Sequence, residues 1–168
     1  TAQETLSFVG QVHGMATETF HTRSTDLLSL MDLTSAATTL VADFSHGMRK
    51  KLSLAAALLP APRLLFLDEP FEGIDAVAVS GIRRMLQDLV ARGAMTVFLT
   101  SHVLEVVERL VTHVGIIHRG RLVVQGTLDE VRASGTLEET FIRAVGEARA
   151  APQGLSWLAA ARGPAEEV

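Results

Sequence analysis

Short apolar runs alternate with amphipathic helical patterns from residue 62 onward, and this alternation limits the fold more than any other feature of the sequence. The run LLFLD, residues 64–68, has no polar break before its last position, which predicts a strand buried in the interior of a sheet. Strands that alternate with helices predict a mostly parallel sheet covered by helices, an α/β fold. Strands are expected at 64–68, 96–100, 114–118 and 122–125, and helices at 77–92, 104–111, from Thr127, and at 137–145.

The first part of the chain has a different pattern. Apolar residues recur there at three- and four-residue spacing, which predicts a helical subdomain over residues 1–60. Ser45 is the expected N-cap of a helix over 47–59, and Pro60 is expected to end that helix. The α/β core then covers residues 61–146, and 147–168 form a C-terminal tail. Trp157 in this tail marks a small surface helix or a disordered end, or alternatively an interface anchor.

Composition narrows the possible classes of protein. The 168 residues carry a net charge of −4, and the basic residues cluster only at Arg49, Lys50 and Lys51, which argues against nucleic acid as a partner. There is no cysteine, so thiolate metal sites and disulfides are excluded and a reducing compartment is permitted. No apolar run reaches the roughly 18 residues that a membrane-spanning helix needs.

Polar side chains follow two of the expected strands at the point where each strand ends. Asp68 and Glu69 follow the first strand, and Ser101 and His102 follow the second. Ligands of open parallel sheets bind outside the carboxyl ends of the strands, so these residues are candidates for holding a phosphate and its metal. Taken alone, the acid pair is equally compatible with a strand-end carboxylate beside a helix cap, and His102 taken alone is better explained as a loop histidine with its hydrogen bonds satisfied.

Four motifs in one order make the chain similar to a known family. LLFLDEP (64–70) resembles a Walker B strand, FEGID (71–75) a D-loop, TSH (100–102) a switch-histidine segment, and FSHGM (44–48) a signature sequence. The chain therefore resembles the nucleotide-binding domains of ATP-binding cassette (ABC) transporters over residues 1 to about 146. The resemblance implies a P-loop NTPase-like α/β fold whose helical subdomain precedes Walker B.

The resemblance also implies a role for each residue at the strand ends. Asp68 would hold Mg²⁺ through water, and Glu69 would be the general base for the hydrolytic water. His102 would contact the γ-phosphate of ATP. Phosphoryl transfer depends on positioning and charge neutralisation, and these residue types suit both tasks.

The signature residues are expected to act on a second subunit. Ser45, His46 and Gly47 lie at a helix N-terminus, which favours an anion. The resemblance implies that this face closes on ATP held by the opposite subunit of a head-to-tail dimer, and that Asp75 of the D-loop crosses the same interface. His46 stands where the family usually has glycine, and places a bulky, chargeable ring near the phosphates.

Other family features are absent from the sequence. No GxxxxGK[ST] segment occurs, because the only lysines are Lys50 and Lys51 and neither follows a glycine. The glutamine loop expected before Thr1 is also absent, as is any tyrosine to stack on adenine. The expectation is therefore that the N-terminal part of the fold, with Walker A, is missing and that the chain alone does not hydrolyse ATP.

Three functions are compatible with these motifs. The first is an ATP-binding subunit at the cytoplasmic face of the membrane, which couples ATP hydrolysis to transport by a membrane permease. The YSGGM-like signature favours export. The second is a truncated, degenerate cassette that lends its signature face to an intact partner. The third is a DNA-repair or chromosome-organising ATPase, which the acidic balance and the lack of heptad repeats disfavour.

Overall fold

The computed structural model describes residues 1–133 and 135–146. The chain divides into two compact units, Thr1–Val103 and Leu104–Val168. The predicted tail, 147–168, and its Trp157 lie outside the described residues. The division at residues 60 and 146, which rests on changes in the sequence pattern, stays a prediction.

The first unit begins with a helical region that ends at the predicted proline. Thr1 caps the first helix in a capping box with Glu4, and the Ser45 hydroxyl caps the third helix. Pro60 follows the end of that third helix, as expected for a residue that cannot continue it. The helices are α1 (Ala2–Val12), α2 (Thr17–Leu30) and α3 (His46–Leu58), with short 3₁₀ helices at Thr34–Ala36 and Val41–Asp43.

Aliphatic side chains from these helices and their connections form one core. Leu6 of α1, Leu52 of α3, and Met31 and Leu33 after α2 are almost completely buried. Arg23 of α2 donates a hydrogen bond from Nη1 to the carbonyl oxygen of Leu59, 3.1 Å away. A cation at this position stabilises a helix C-terminus, because the last carbonyls of a helix carry a partial negative charge.

A β-α-β segment completes the first unit and positions the strand-end residues. Strand β1 (Leu64–Asp68) runs parallel to β2 (Thr96–Thr100), and helix α4 (Ala76–Ala91) connects them. Ile82 and Leu86, one helical turn apart, are the buried residues of α4. The pairing runs in register from Leu64 opposite Thr96 to Asp68 opposite Thr100, so both strands end at the same edge.

The expectation that β1 lies in a sheet interior is wrong for the described residues, because only one face of the strand is covered. Leu65 is 4% exposed, whereas Leu64 and Phe66 on the opposite face are 51% and 67% exposed. The ring of Phe66 contacts Phe98 of β2 with a centroid distance of 5.6 Å. The β1-β2 sheet has two strands in the part of the chain that the structure describes, and successive side chains of a strand point to opposite faces.

The second unit is built around an antiparallel hairpin. Thr127 and Thr136 each cap a helix in a capping box, with Glu130 and Glu139 as the reciprocal partners. Glu108 accepts a hydrogen bond from the backbone amide of Leu137 at 3.1 Å and thereby joins two of its helices. The elements are α5 (Leu104–Leu110), β3 (His113–His118), β4 (Arg121–Thr127), α6 (Leu128–Arg132) and α7 (Leu137–Val145).

The α/β class and the order of elements predicted from the sequence are confirmed. The strands at 64–68 and 96–100 and the helix at 137–145 have the predicted bounds, and the other elements differ by one or two residues at their ends. Within residues 1–133 and 135–146, no helix combines the length and hydropathy that a membrane-spanning segment requires.

Candidate functional site

Asp68 and Thr100 meet at the edge where the two parallel strands end. They are register partners, and the Thr100 hydroxyl donates a hydrogen bond to Oδ1 of Asp68. The backbone amide of Glu69 donates to the carbonyl oxygen of Thr100 at 3.2 Å and extends the ladder by one residue. The Asp68 carboxylate and the Glu69 backbone are therefore anchored to β2.

Glu69 and His102, which the sequence analysis proposed as a pair of site residues, lie side by side. Nδ1 of His102 lies 2.9 Å from Oε1 of Glu69, and the two side chains are 69% and 27% exposed. The hydrogen bond and the negative charge of Glu69 raise the pKa of His102 above its ordinary value, and the charge of Glu72 acts in the same direction. The contact therefore favours the protonated form of the His102 imidazole.

The backbone at Glu69 has an uncommon conformation. Its φ is +45°, in the left-handed region that residues other than glycine rarely occupy. The carbonyl oxygen of Glu69 accepts a hydrogen bond at 3.0 Å from Nζ of Lys50 on α3. The sequence patterns indicated neither the Lys50 contact nor the Thr100 contact, because no motif links Lys50 to Glu69, 19 positions later in the chain, or the Thr100 hydroxyl to Asp68.

The signature residues lie at the start of α3 as predicted. The Ser45 hydroxyl accepts a hydrogen bond from the amide of Met48 at 3.1 Å, and Ser45 and His46 are exposed. The ring of His46 lies over Gly73, where an added Cβ would be 2.5 Å from Cδ2 of His46. A Cβ added to Gly47 would likewise lie 2.5 Å from the carbonyl oxygen of Gly73, so the start of α3 contacts the 71–75 loop.

Asp75 is the N-cap of α4. Its Oδ1 accepts a hydrogen bond from the amide of Ala78 at 2.8 Å. That bond holds the pKa of Asp75 below its ordinary value, and the positive charge of Lys51 acts in the same direction. Lys51 is itself buried on α3. The capping role of Asp75 is a property of the fold, and its role at a subunit interface stays a prediction.

A magnesium ion suits this edge only if other molecules supply most of its ligands. No group of three or more His, Asp or Glu side chains that could hold a metal occurs within the described ranges. Mg²⁺ in phosphoryl-transfer sites takes one or two carboxylates and otherwise water and phosphate oxygens. Asp68, exposed at the strand end and oriented by Thr100, fits the single carboxylate of such a site.

Comparison with known protein families gives one matching family model. It is described as "AAA domain, putative AbiEii toxin, Type IV TA system", and it matches residues 6–108. The matched segment includes the start of α3, both parallel strands and the strand-end residues. It therefore covers every residue of the candidate site.

Three curated relatives that match the chain are named as ATP-binding proteins. The bacitracin transport ATP-binding protein BcrA of Bacillus licheniformis is 36% identical over 134 residues, 79% of this chain and 42% of the relative. The daunorubicin resistance ATP-binding protein DrrA3 of Streptomyces coeruleorubidus is 32% identical over 89% of this chain and 48% of the relative. The Nod factor export ATP-binding protein I of Rhizobium leguminosarum bv. viciae is 40% identical over 75% of this chain and 40% of the relative.

The chain thus spans less than half the length of these relatives. A solved structure described as the ATP-binding subunit of an ABC transporter superposes with a TM-score of 0.81 at 28% identity, covering 87% of this chain and 62% of that chain. The resemblance drawn from the four sequence motifs is confirmed. The chain belongs to the AAA-domain family of that model, and it is part of an ATP-binding domain of the ABC transporter type.

Proposed function

We propose that this chain supplies the hydrolytic carboxylate and the signature face of an ABC transporter ATPase, which couples ATP binding and hydrolysis to export by a membrane permease. The names of the relatives support this direction, since they include bacitracin transport and Nod factor export. The proposal places the chain at the cytoplasmic face of the membrane, associated with a permease and with a second ATPase subunit.

The observation that carries the proposal is the Glu69–His102 pair beside Asp68. Glu69 is positioned to accept a proton from the attacking water, and the adjacent imidazolium offers a positive charge to the γ-phosphate. The contact with Glu69 uses Nδ1 of His102, so a phosphate oxygen would be met by Nε2. A neutral histidine could donate only one of these two hydrogen bonds, so the raised pKa of His102 favours both contacts at once.

Asp68 is the proposed carboxylate for Mg²⁺. Bound Mg²⁺ would neutralise charge on the phosphate oxygens. The chain's own contribution is to orient the carboxylate through the Thr100 hydroxyl, and to keep it at the exposed strand end. This arrangement is compatible with coordination through a water molecule.

The signature face is proposed to bind ATP held by a partner subunit. Ser45 is exposed at the first turn of α3, where backbone amides and the helix dipole favour a phosphate. His46 narrows the space at this turn because its ring lies over Gly73. Contact with a partner would therefore use the Ser45 hydroxyl and the exposed edge of the His46 ring.

The test is ATP hydrolysis by a protein in which a GxxxxGK[ST] segment precedes this chain. That segment is either part of the native gene product or the first part of a relative fused to this chain. Glu69→Gln should lower kcat by about a hundredfold or more, because general-base catalysis contributes roughly 10²–10⁴ in rate. Glu72→Gln is the control. Glu72 lies two residues after Pro70, and its replacement removes the same negative charge but should retain most of the activity. Unchanged hydrolysis in Glu69→Gln would refute the assignment of the general base.

His46 also favours a second role, in which the chain lends its signature face to an intact subunit and hydrolyses nothing itself. The ring of His46, at a turn where the family resemblance implies glycine, reduces the room for a phosphate. Co-expression with an intact cassette subunit distinguishes the roles. A complex that Ser45→Arg disrupts, and whose hydrolysis is indifferent to Glu69→Gln, would support the lending role over the catalytic one.

A further inference from the structure

Lys50 connects the signature helix to the proposed general base. It lies in the second turn of α3, and its Nζ donates a hydrogen bond to the backbone carbonyl oxygen of Glu69 at 3.0 Å. The Lys50 side chain is half-buried, and a hydrogen bond from an ammonium group is stronger than one between neutral groups. This contact joins two segments that are 19 residues apart in sequence.

The backbone conformation of Glu69 depends on such contacts. With φ at +45°, Glu69 occupies a region that is unfavourable for a residue with a side chain, and such conformations persist only where the surroundings hold them. Two hydrogen bonds hold the backbone of Glu69 in this conformation. The amide of Glu69 donates to Thr100 on β2 at 3.2 Å, and its carbonyl oxygen accepts from Lys50 on α3.

Fixing the backbone of Glu69 also fixes the direction of its Cα–Cβ bond, from which the carboxylate reaches His102. The peptide planes on both sides of Cα determine where the side chain starts, and its Oε1 then meets Nδ1 of His102 at 2.9 Å. Loss of the Lys50 contact would leave the carbonyl side of Glu69 free to rotate towards a more favourable φ and ψ. The carboxylate would then turn away from its present position.

The same helix carries the signature residues. Gly47, one turn before Lys50, lies so close to the carbonyl oxygen of Gly73 that an added Cβ would approach it to 2.5 Å. The segment from Glu69 to Gly73 therefore rests against α3 at two points, at its start through Lys50 and at its end through Gly47. A displacement of the first turns of α3 would be transmitted to Glu69 directly.

We propose that Lys50 is a positioning residue for Glu69, which holds the carboxylate in register with His102 and makes that position depend on the placement of the signature helix. The role of Glu69 as general base comes from the proposed function, on which this inference rests. Lys50 does not itself contact the reacting atoms.

The first test needs no catalysis and uses the chain itself. The ¹³C chemical shift of the Glu69 carbonyl, measured by NMR, reports the hydrogen bond that this oxygen accepts. It should move in Lys50→Met and stay close to its wild-type value in Lys50→Arg, which keeps a cationic donor. Arg84→Met, which removes a positive charge from the exposed side of α4, is the matched control and should leave the shift unchanged. An unchanged chemical shift of the Glu69 carbonyl in Lys50→Met would overturn the inference.

The second test is steady-state ATP hydrolysis with a GxxxxGK[ST] segment supplied. Lys50→Met should lower kcat about tenfold or more with KM within about twofold, because small displacements of a catalytic group cost up to about a hundredfold in rate. Lys50→Arg should restore most of kcat, and Arg84→Met should match the wild type. An equal loss in Lys50→Arg, or a loss that appears only in KM, would contradict a positioning role.

The two tests also separate this inference from the proposed function. If Glu69→Gln hydrolyses ATP normally, the proposed function is wrong, and the carbonyl shift still decides whether Lys50 holds Glu69. If Glu69→Gln is inactive while Lys50→Met is fully active, the proposed function stands and the positioning role is wrong.

Discussion

Nδ1 of His102 lies 2.9 Å from Oε1 of Glu69, across the edge where two parallel strands end. The two residues come from different loops, one after β1 and one after β2, and only the parallel pairing of these strands brings them together. Glu69 favours the protonated form of His102, because a carboxylate stabilises an imidazolium at this distance. The relationship can be measured without any ligand.

Replacing Glu69 by glutamine should lower the pKa of His102 towards its ordinary value, since both the charge and the carboxylate acceptor are lost. The NMR titration of the His102 ring protons measures this directly. Glu72→Gln is the control, because Glu72 contributes a smaller charge effect and should shift the titration less. A larger shift in Glu72→Gln than in Glu69→Gln would contradict the observed pairing.

The same pair predicts a dependence of stability on pH. The pKa of His102 is higher in the folded protein than the value of about 6.5 expected when unfolded, so folding favours the protonated ring. The stabilisation is fully present below about pH 6.5 and is lost as the pH rises through the folded pKa. Urea unfolding of the wild type and of Glu69→Gln should therefore differ more at pH 6 than at pH 8.5. A difference that grows towards pH 8.5 would contradict this sign.

Substitutions of Ser45 should separate its capping role from its proposed contact with phosphate. Ser45→Ala removes the acceptor for the Met48 amide and should lower the free energy of unfolding by about 1 kcal/mol. Ser45→Asp and Ser45→Asn should both keep the cap, because all three residues are good N-caps. Only Ser45→Asp places a negative charge where the phosphate is expected.

ATP-dependent association with an intact cassette subunit, followed by light scattering, is the readout for the phosphate contact. We expect it to be lost in Ser45→Asp and retained in Ser45→Asn. If both variants associate normally, the first turn of α3 does not bind the partner's nucleotide. If both are as unstable as Ser45→Ala, the cap geometry is wrong.

Two helical glycines should respond to alanine with opposite signs. Gly81 lies in α4 with no atom within 4 Å of an added Cβ, so Gly81→Ala should raise the free energy of unfolding by about 0.5–1 kcal/mol. Gly47→Ala places a Cβ 2.5 Å from the carbonyl oxygen of Gly73, and the resulting displacement should cost about 1–3 kcal/mol. Equal stabilisation in both variants would show that α3 and the Gly73 loop are not in contact.

The sequence predicted the parts of this structure that depend on local pattern. Ser45 was expected to cap α3 and does so, and the strand at 64–68 has the predicted bounds. The placement of Glu69 near His102 was also accessible, because residues that follow parallel strands meet at one edge of the sheet. The catalytic roles of these residues remain predictions.

Contacts between distant segments were not predictable in this way. In the sequence, Lys50 is one of a cluster of basic residues on a predicted helix. No adjacent residue in the sequence indicates that its ammonium group contacts Glu69. The left-handed φ of Glu69 is equally hidden, since sequence patterns associate such conformations with glycine or asparagine. Both features follow from how α3 and β1 are arranged in the first unit.

Burial of β1 was predicted on both faces and is found on one, and this difference gives the last prediction. An apolar run indicates what a strand can bury, whereas the exposure of Phe66 depends on which other elements are present. Leu65→Ala should lower the free energy of unfolding by about 2–4 kcal/mol, because it leaves a cavity. Phe66→Ala should cost less than about 1 kcal/mol, since it removes mainly the contact with the Phe98 ring. Urea unfolding of both variants measures these losses of stability. Leu67 is half-buried, so the loss in Leu67→Ala should lie between the other two. Equal losses at residues 65 and 66 would restore the original expectation of a strand covered on both sides.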